Sequence, residues 1–201
     1  VMSDATACGT AAITLTGGNN QSLNIVKMPE GTLTINKSGG TASLARNLAV
    51  DIAAGQDMTI TAGTLDLNGF TLTVADVLTN NGTFDLKGDF AINDANGAGR
   101  SLAFNNSGTL KKTGGTGNAA WFAKLNLLSA DIVSIQSGTL SISQGGTVSG
   151  TNVSLNGNTL RYTGGTLTFD NFSRVSGTGT LELSGGTAIV DFATANVPEF
   201  K

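Results

Sequence analysis

Residues 63–92 read GTLDLNGFTLTVADVLTNNGTFDLKGDFAI. The phrase GTLDLNG at residues 63–69 returns as GTFDLKG at residues 82–88, 19 positions later. Within each copy apolar and polar side chains alternate: Leu65 and Leu67 against Thr64 and Asp66, Phe84 and Leu86 against Thr83 and Asp85. Alternation of period two marks a β-strand with one buried face. Each copy ends in Gly, which supplies the positive φ that a sharp corner needs. A strand phrase that returns after about 20 residues points to a solenoid, where each coil stacks on the last and like falls on like.

The phrase recurs, opening at Thr32, Thr64, Thr83, Thr109, Thr139, Thr159 and Thr180. Its second and fourth positions are apolar except at Lys112, where a local break is expected. Its third position varies freely, as a solvent-facing position can. The steps between copies are 32, 19, 26, 30, 20 and 21 residues. The short steps read as single laps. The long ones leave room for an insertion, and residues 117–130, with the run WFAKLNLL, are the candidate.

The expected fold is therefore all-β: one parallel β-solenoid over residues 1–201 with coils of about 20 residues, residues 1–30 being a candidate N-terminal cap. The apolar columns predict burial of Leu65, Leu67, Phe84 and Leu86. Helical periodicity is weak throughout and almost no helix is expected; residues 41–54, TASLARNLAVDIAA, are the candidate exception or cap. At an offset of 21, TLRYTGGT aligns with TLELSGGT. That sets Arg161 against Glu182 on the outer surface and Tyr162 on Leu183 within.

Charged residues make up 12% of the chain, about half the usual share. Hydrophobic residues make up 39%, too many for a disordered polar tract. With 11 Lys and Arg, net charge −3 and no basic cluster, no nucleic-acid partner is expected. No apolar run reaches 18 residues, so no membrane span is expected. The first residues lack the basic region and apolar core of a secretion signal, so the chain reads as a mature form or an excised segment. Cys8 stands alone, so it is either a small free thiol or pairs with another molecule.

From residue 104 onward the chain reads FNNSGTLKKTGGTG, then SIQSGTLSISQGGTVSG, NTLRYTGGTLTF and RVSGTGTLELSGGTAIV. These runs, with GTLDLNGFTLTV, resemble the repeats of large bacterial surface and secreted proteins, the adhesin-like β-solenoids of the filamentous-haemagglutinin and autotransporter-passenger type. The resemblance covers most of residues 31–190. It implies a right-handed parallel β-helix at the cell surface or outside the cell, and a structural or adhesive role. A polysaccharide or a host or cell-surface component is the implied ligand. The open coils at the two ends of a solenoid expose strand edges that template pairing, so end-to-end self-association is expected unless they are capped.

The inventory argues against an enzyme. The chain contains no His, which removes Ser-His-Asp and Cys-His schemes and every His-ligated metal site. One Cys cannot build a Cys-based zinc site, and no phosphate-cradling glycine motif is present. No cofactor is expected. What remains is carboxylate chemistry, as in β-helix enzymes that cleave polysaccharides. Asp66 and Asp85 share a column, with Lys87 and Asp89 following. Two stacked carboxylates can hold a cation or share a proton; the simpler expectation is that both splay into water. NDANGAG at residues 93–99 has the start of a Ca²⁺ loop in Asp94 and Asn96 but lacks its distal Glu, and reads as a glycine turn.

Ice binding is a further alternative, because Thr-x-Thr pairs occur at Thr14/Thr16, Thr32/Thr34, Thr71/Thr73 and Thr166/Thr168. Against it, the third position of the aligned phrase is charged in five of seven copies. Trp121 and Phe122, inside the supposed insertion, are the candidate aromatic contacts for a sugar or partner.

Overall fold

The computed structural model describes residues 9–25, 28–50, 56–74, 76–94, 102–128, 132–170 and 173–191. Among them are 22 strands and no helix. The strands pair in parallel and stack as a β-solenoid of about 8 turns, with about 21 residues per turn.

Each coil has three sides. The first ladder runs from Ile13–Thr16 through Val77–Asn80, Ala103–Asn106, Lys124–Leu127, Gly145–Val148 and Thr166–Phe169 to Thr187–Val190. The second runs from Gln21–Leu23 through Thr83–Lys87, Thr109–Gly114, Ile132–Ile135 and Asn152–Ser154 to Arg174–Ser176. The third runs from Leu48–Val50 through Leu72–Val74, Ala91–Asp94, Asn118–Trp121, Thr139–Ile142 and Thr159–Tyr162 to Thr180–Leu183. Two long strands, Leu33–Leu44 and Met58–Asp66, turn a corner and serve both the first and second ladders. Those ladders therefore form one 15-stranded sheet beside a 7-stranded one.

Corner chemistry explains the Gly and Asn in the repeat. Gly63 turns the first corner at φ 82, and a Cβ there would lie 2.7 Å from Cβ of Lys37 in the coil below. At the second corner Asn68 and Asn156 take φ 49 and 48, which Asn tolerates better than most residues. Their side-chain amides donate to the carbonyls of Leu44 (3.2 Å) and Ile135 (3.4 Å) one lap earlier. The Asn thus bends its own coil and ties it to the one beneath.

The repeated phrase does not stay on one side. Leu33 lies in the first ladder, Leu65, Phe84 and Leu110 in the second, and Leu140, Leu160 and Leu181 in the third. The steps of 32 and 30 residues are thus a lap plus a corner. The supposed insertion is regular: Asn118–Trp121 pairs with Ala91–Asp94 and Thr139–Ile142, and Lys124–Leu127 with Ala103–Asn106 and Gly145–Val148. The candidate exception at residues 41–54 carries no helix where it is described. Residues 41–44 end a strand and Leu48–Val50 is another, with Ala42, Leu44, Leu48 and Val50 turned inward at period two; residues 51–54 lie outside the described residues. At the other end of the chain the first two strands, Ile13–Thr16 and Gln21–Leu23, already pair with Leu33–Leu44.

The interior is a set of apolar columns. Leu65, Leu67, Phe84 and Leu86 are buried as the alternation predicts. One aromatic from each side meets near the axis. Phe84, Phe104 and Trp121 lie edge to face, with ring centroids 4.8–6.0 Å apart. Among the polar exceptions, Asn80 and Lys112 show how burial is satisfied. Asn80 donates to the Asn106 side chain at 2.6 Å and to the Thr109 carbonyl at 3.0 Å. Lys112 is fully buried, and its Nζ reaches out at a corner to Asp89 (3.0 Å) and to the carbonyls of Gly114 (2.8 Å) and Gly115 (2.9 Å). The register shifts between Lys112 and Gly114, the break expected there.

Candidate functional site

With the interior filled, the surfaces that can meet another molecule are the three outer sides. Along each strand every second side chain points out, and stacking turns each outward position into a rank that climbs the solenoid.

On the first side the central rank reads Thr14, Thr34, Thr59 and Thr79, then Asn105 and Asn126, then Thr147 and Thr168. Each is in register with the next, and Ile189 follows. No charge interrupts it. Thr14 and Thr147 are exposed and the others half-buried, as expected for short side chains standing side by side. Thr is stiff at χ1, so its methyl and hydroxyl hold fixed directions on a strand. The Asn126 amide donates to the Asn105 side-chain oxygen at 3.3 Å, which fixes that pair in the rank. Three of the four Thr-x-Thr pairs belong to this side, and Thr59/Thr61 adds another. Thr71/Thr73 does not, since Thr73 lies in the third ladder. Flanking the rank, Asp57 accepts the Val77 N–H at 3.2 Å, and Lys124 is exposed.

The other two sides carry charge in their central ranks. The central rank of the second side runs Ser43, Asp66, Asp85, Lys111, Ser134 and Ser154. That of the third runs Ala120, Ser141, Arg161 and Glu182. Arg161 Nε sits 2.8 Å from Glu182 Oε2, 21 residues away, as the alignment predicts. The charged third positions of the phrase therefore stand apart from the threonine rank. Aligning the copies as one column merged sides that the fold keeps separate.

Asp66 and Asp85 are register partners but do not splay into water; each is 7% exposed. Asp66 accepts the Asn68 N–H at 2.7 Å and pairs with Lys87 at 3.2 Å. Asp85 accepts the Thr113 hydroxyl at 2.8 Å and pairs with Lys111 at 3.4 Å. Lysines on the next rung, Lys111 directly in register with Asp85 and Lys87 two positions past the partner of Asp66, fold over the carboxylates, an arrangement that alternation alone does not reveal. Both oxygens of each carboxylate are thereby engaged. Asp89 accepts from Lys112 and from the Gly117 N–H at 2.8 Å. Burial opposes its ionisation, but the Lys112 hydrogen bond, the Gly117 N–H and the Lys112 charge outweigh that and hold the carboxyl below its usual range. Asp94 accepts the Leu102 N–H at 3.0 Å; Asn96 lies outside the described residues. Among the described residues no group of three or more His, Cys, Asp or Glu is placed to hold a metal ion.

The aromatic candidates divide. Trp121 is fully buried, because period two through NAAW turns it inward between Ile92 and Ile142. It therefore cannot contact a sugar or partner at the surface. Phe122, the next residue, is 44% exposed at the corner between the third and first sides. Cys8 lies outside the described residues. Trp121 Nε1 and Tyr162 Oη are buried without a hydrogen-bond partner, and burial pushes the Tyr162 phenol up.

No protein-family model, curated protein or solved structure matches the chain. No helix among the described residues is long and apolar enough to cross a membrane.

Proposed function

We propose that the protein is a structural and adhesive β-solenoid segment of a bacterial cell-surface or extracellular fibre protein, and that its threonine and asparagine side makes the contact. The observation that carries this reading is the uncharged rank of eight Thr and Asn side chains in unbroken register. A rigid stack presents such a rank at fixed intervals of about 4.8 Å, so many weak contacts add on a surface that is itself regular. The resemblance to adhesin-like repeats and the low charge content support an extracellular setting. Cleavage of polysaccharide has less support, because Asp66 and Asp85 are engaged by Asn68, Lys87, Thr113 and Lys111.

The test uses beads coated with the chain or with the double variant Thr59→Lys/Thr79→Lys, washed over cellulose, chitin, bacterial cell wall, cultured cells and ice. Retention of the parent with loss in the variant is the expected result. Equal retention of both beads on every surface overturns the contact side.

End-to-end stacking is a second reading with one observation in its favour. Val190 aligns with buried Phe169 yet is 42% exposed. Sedimentation over a concentration series tests it; a single monomeric species throughout removes it.

A further inference from the structure

We infer that the surface recognised by the threonine and asparagine side is ordered water, the outer layer of ice. The inference rests on the contact-side reading and names its ligand.

Four observations lead there. The first is the grid. Rungs lie about 4.8 Å apart, and outward positions on one strand are about 6.6 Å apart, so the side presents a rectangular array of anchoring points. Threonines occupy a second position beside the central rank on several rungs, Thr32 and Thr166 ahead of it and Thr16 and Thr61 behind. Ice also presents its oxygens on a fixed grid, with repeats of similar size.

The second is chemical. Each Thr offers a methyl that fits a gap between lattice waters and a hydroxyl that joins their hydrogen bonds. Its χ1 is already restricted, so little side-chain entropy is lost on contact. The Asn105–Asn126 hydrogen bond holds the two amides in the same way.

The third is charge. Ions order water around themselves and compete with a lattice. The central charged residues, Asp66, Asp85, Lys111, Arg161 and Glu182, all stand on the other two sides. Of the charges beside the threonine rank, Asp57 is turned to a backbone N–H and Asp170 to the Gly150 N–H and the Ser149 hydroxyl, while Lys124 and Asp191 are exposed at its margins. A central rank without charge, on a solenoid whose other two sides carry charge in theirs, is complementary to a neutral solid.

The fourth is the lack of aromatic platforms. None of the outward residues of the first ladder described above is aromatic. Sugar rings are usually held by stacking on such platforms, so a glycan is the poorer fit.

The experiment freezes a dilute solution of fluorescently labelled chain slowly onto a cold probe and measures the chain in ice and in liquid. Recrystallisation of fine-grained ice is followed in parallel. The variants are Thr59→Lys/Thr79→Lys, the gentler Thr79→Val, and the control Ser154→Lys on the second side, each checked for fold by circular dichroism. The parent and Ser154→Lys should enrich in ice and slow recrystallisation. The lysine double variant should lose about tenfold or more of that enrichment, and Thr79→Val should lose part of it. Exclusion of the folded parent from ice, or enrichment that the lysine variant retains, overturns the inference. If ice excludes the parent while a glycan or cell surface retains it through Thr59 and Thr79, the ligand is wrong and the contact side stands. If neither happens, both readings fall.

Discussion

Replacing Trp121 tests the interior where sequence and structure disagree most. Trp121 is fully buried and lies edge to face with Phe84 and Phe104, at centroid distances of 6.0 and 4.8 Å. A buried Trp removes up to about 250 Å² from water. At about 25 cal/mol per Å² that is about 6 kcal/mol, an upper bound because unfolded chains already bury part of this area. Each aromatic contact adds about 0.5–1.5 kcal/mol. The buried, unpartnered Nε1–H opposes these gains by about 1–3 kcal/mol. Trp121→Ala should then destabilise by about 3–5 kcal/mol, the range for removing a core aromatic. Trp121→Phe keeps a ring in the cluster and removes the orphan donor, so it should stay within about 1.5 kcal/mol of the parent. Urea unfolding followed by far-ultraviolet circular dichroism measures all three proteins. Trp121 is the sole tryptophan, so its fluorescence gives a second probe of the parent, and coincident transitions establish two-state behaviour. A cost for Trp121→Ala below about 0.5 kcal/mol, the surface range, refutes the buried placement. Equal costs for Ala and Phe refute the packing argument.

Leu67→Ala, in a fully buried column, should cost about 2–5 kcal/mol in the same assay; a neutral result contradicts the inward column. The depressed Asp89 carboxyl lends stability that is complete above its usual value of 3.8 and is lost as pH falls through its lower folded value. Urea midpoints taken stepwise into acid should therefore fall more steeply for the parent than for Asp89→Asn, and parallel curves contradict the pairing with Lys112. A double-mutant cycle on Arg161 and Glu182 should give a coupling of about 0–1 kcal/mol that shrinks with salt, because both side chains are partly exposed; a salt-insensitive coupling of several kcal/mol is the contrary result. Incubation with pectins, alginates and glucans, with and without Ca²⁺, should yield no depolymerisation, and activity abolished by Asp85→Asn would overturn the non-enzymatic reading.

The strand phrase revealed the coil and its inward columns because burial imposes period two directly on the sequence, as at Leu65, Leu67, Phe84 and Leu86. It could not reveal which side a copy occupies. All three sides demand the same local code, an apolar residue at every second position and a glycine near the corner, so Leu33, Leu65 and Leu140 look alike. The threonine rank stayed hidden for that reason. Its members sit between two inward residues, as in Leu33-Thr34-Ile35 and Met58-Thr59-Ile60, and become a rank only once register assigns them to one side. Trp121 misled in a different way. The inward alternation continues through the corner, but outward Phe122 and Leu128 are apolar, so WFAKLNLL reads as an insertion when it spans the end of one strand and the whole of another. The lysine clamps on Asp66 and Asp85 depend on side-chain reach between rungs, which spacing along the chain does not encode.

The first ladder advances through Leu125, Gly146, Leu167 and Ala188 in equal strides. Growth in this half of the molecule is therefore quantised. Duplicating one whole stride adds a rung, about 4.8 Å of height, and leaves every column continuous. Adding or removing a single residue within a strand instead swaps inside for outside along that strand. A gene that copies itself by whole coils can thus lengthen the solenoid without redesigning it, and each added coil brings its own position in the central rank of every side.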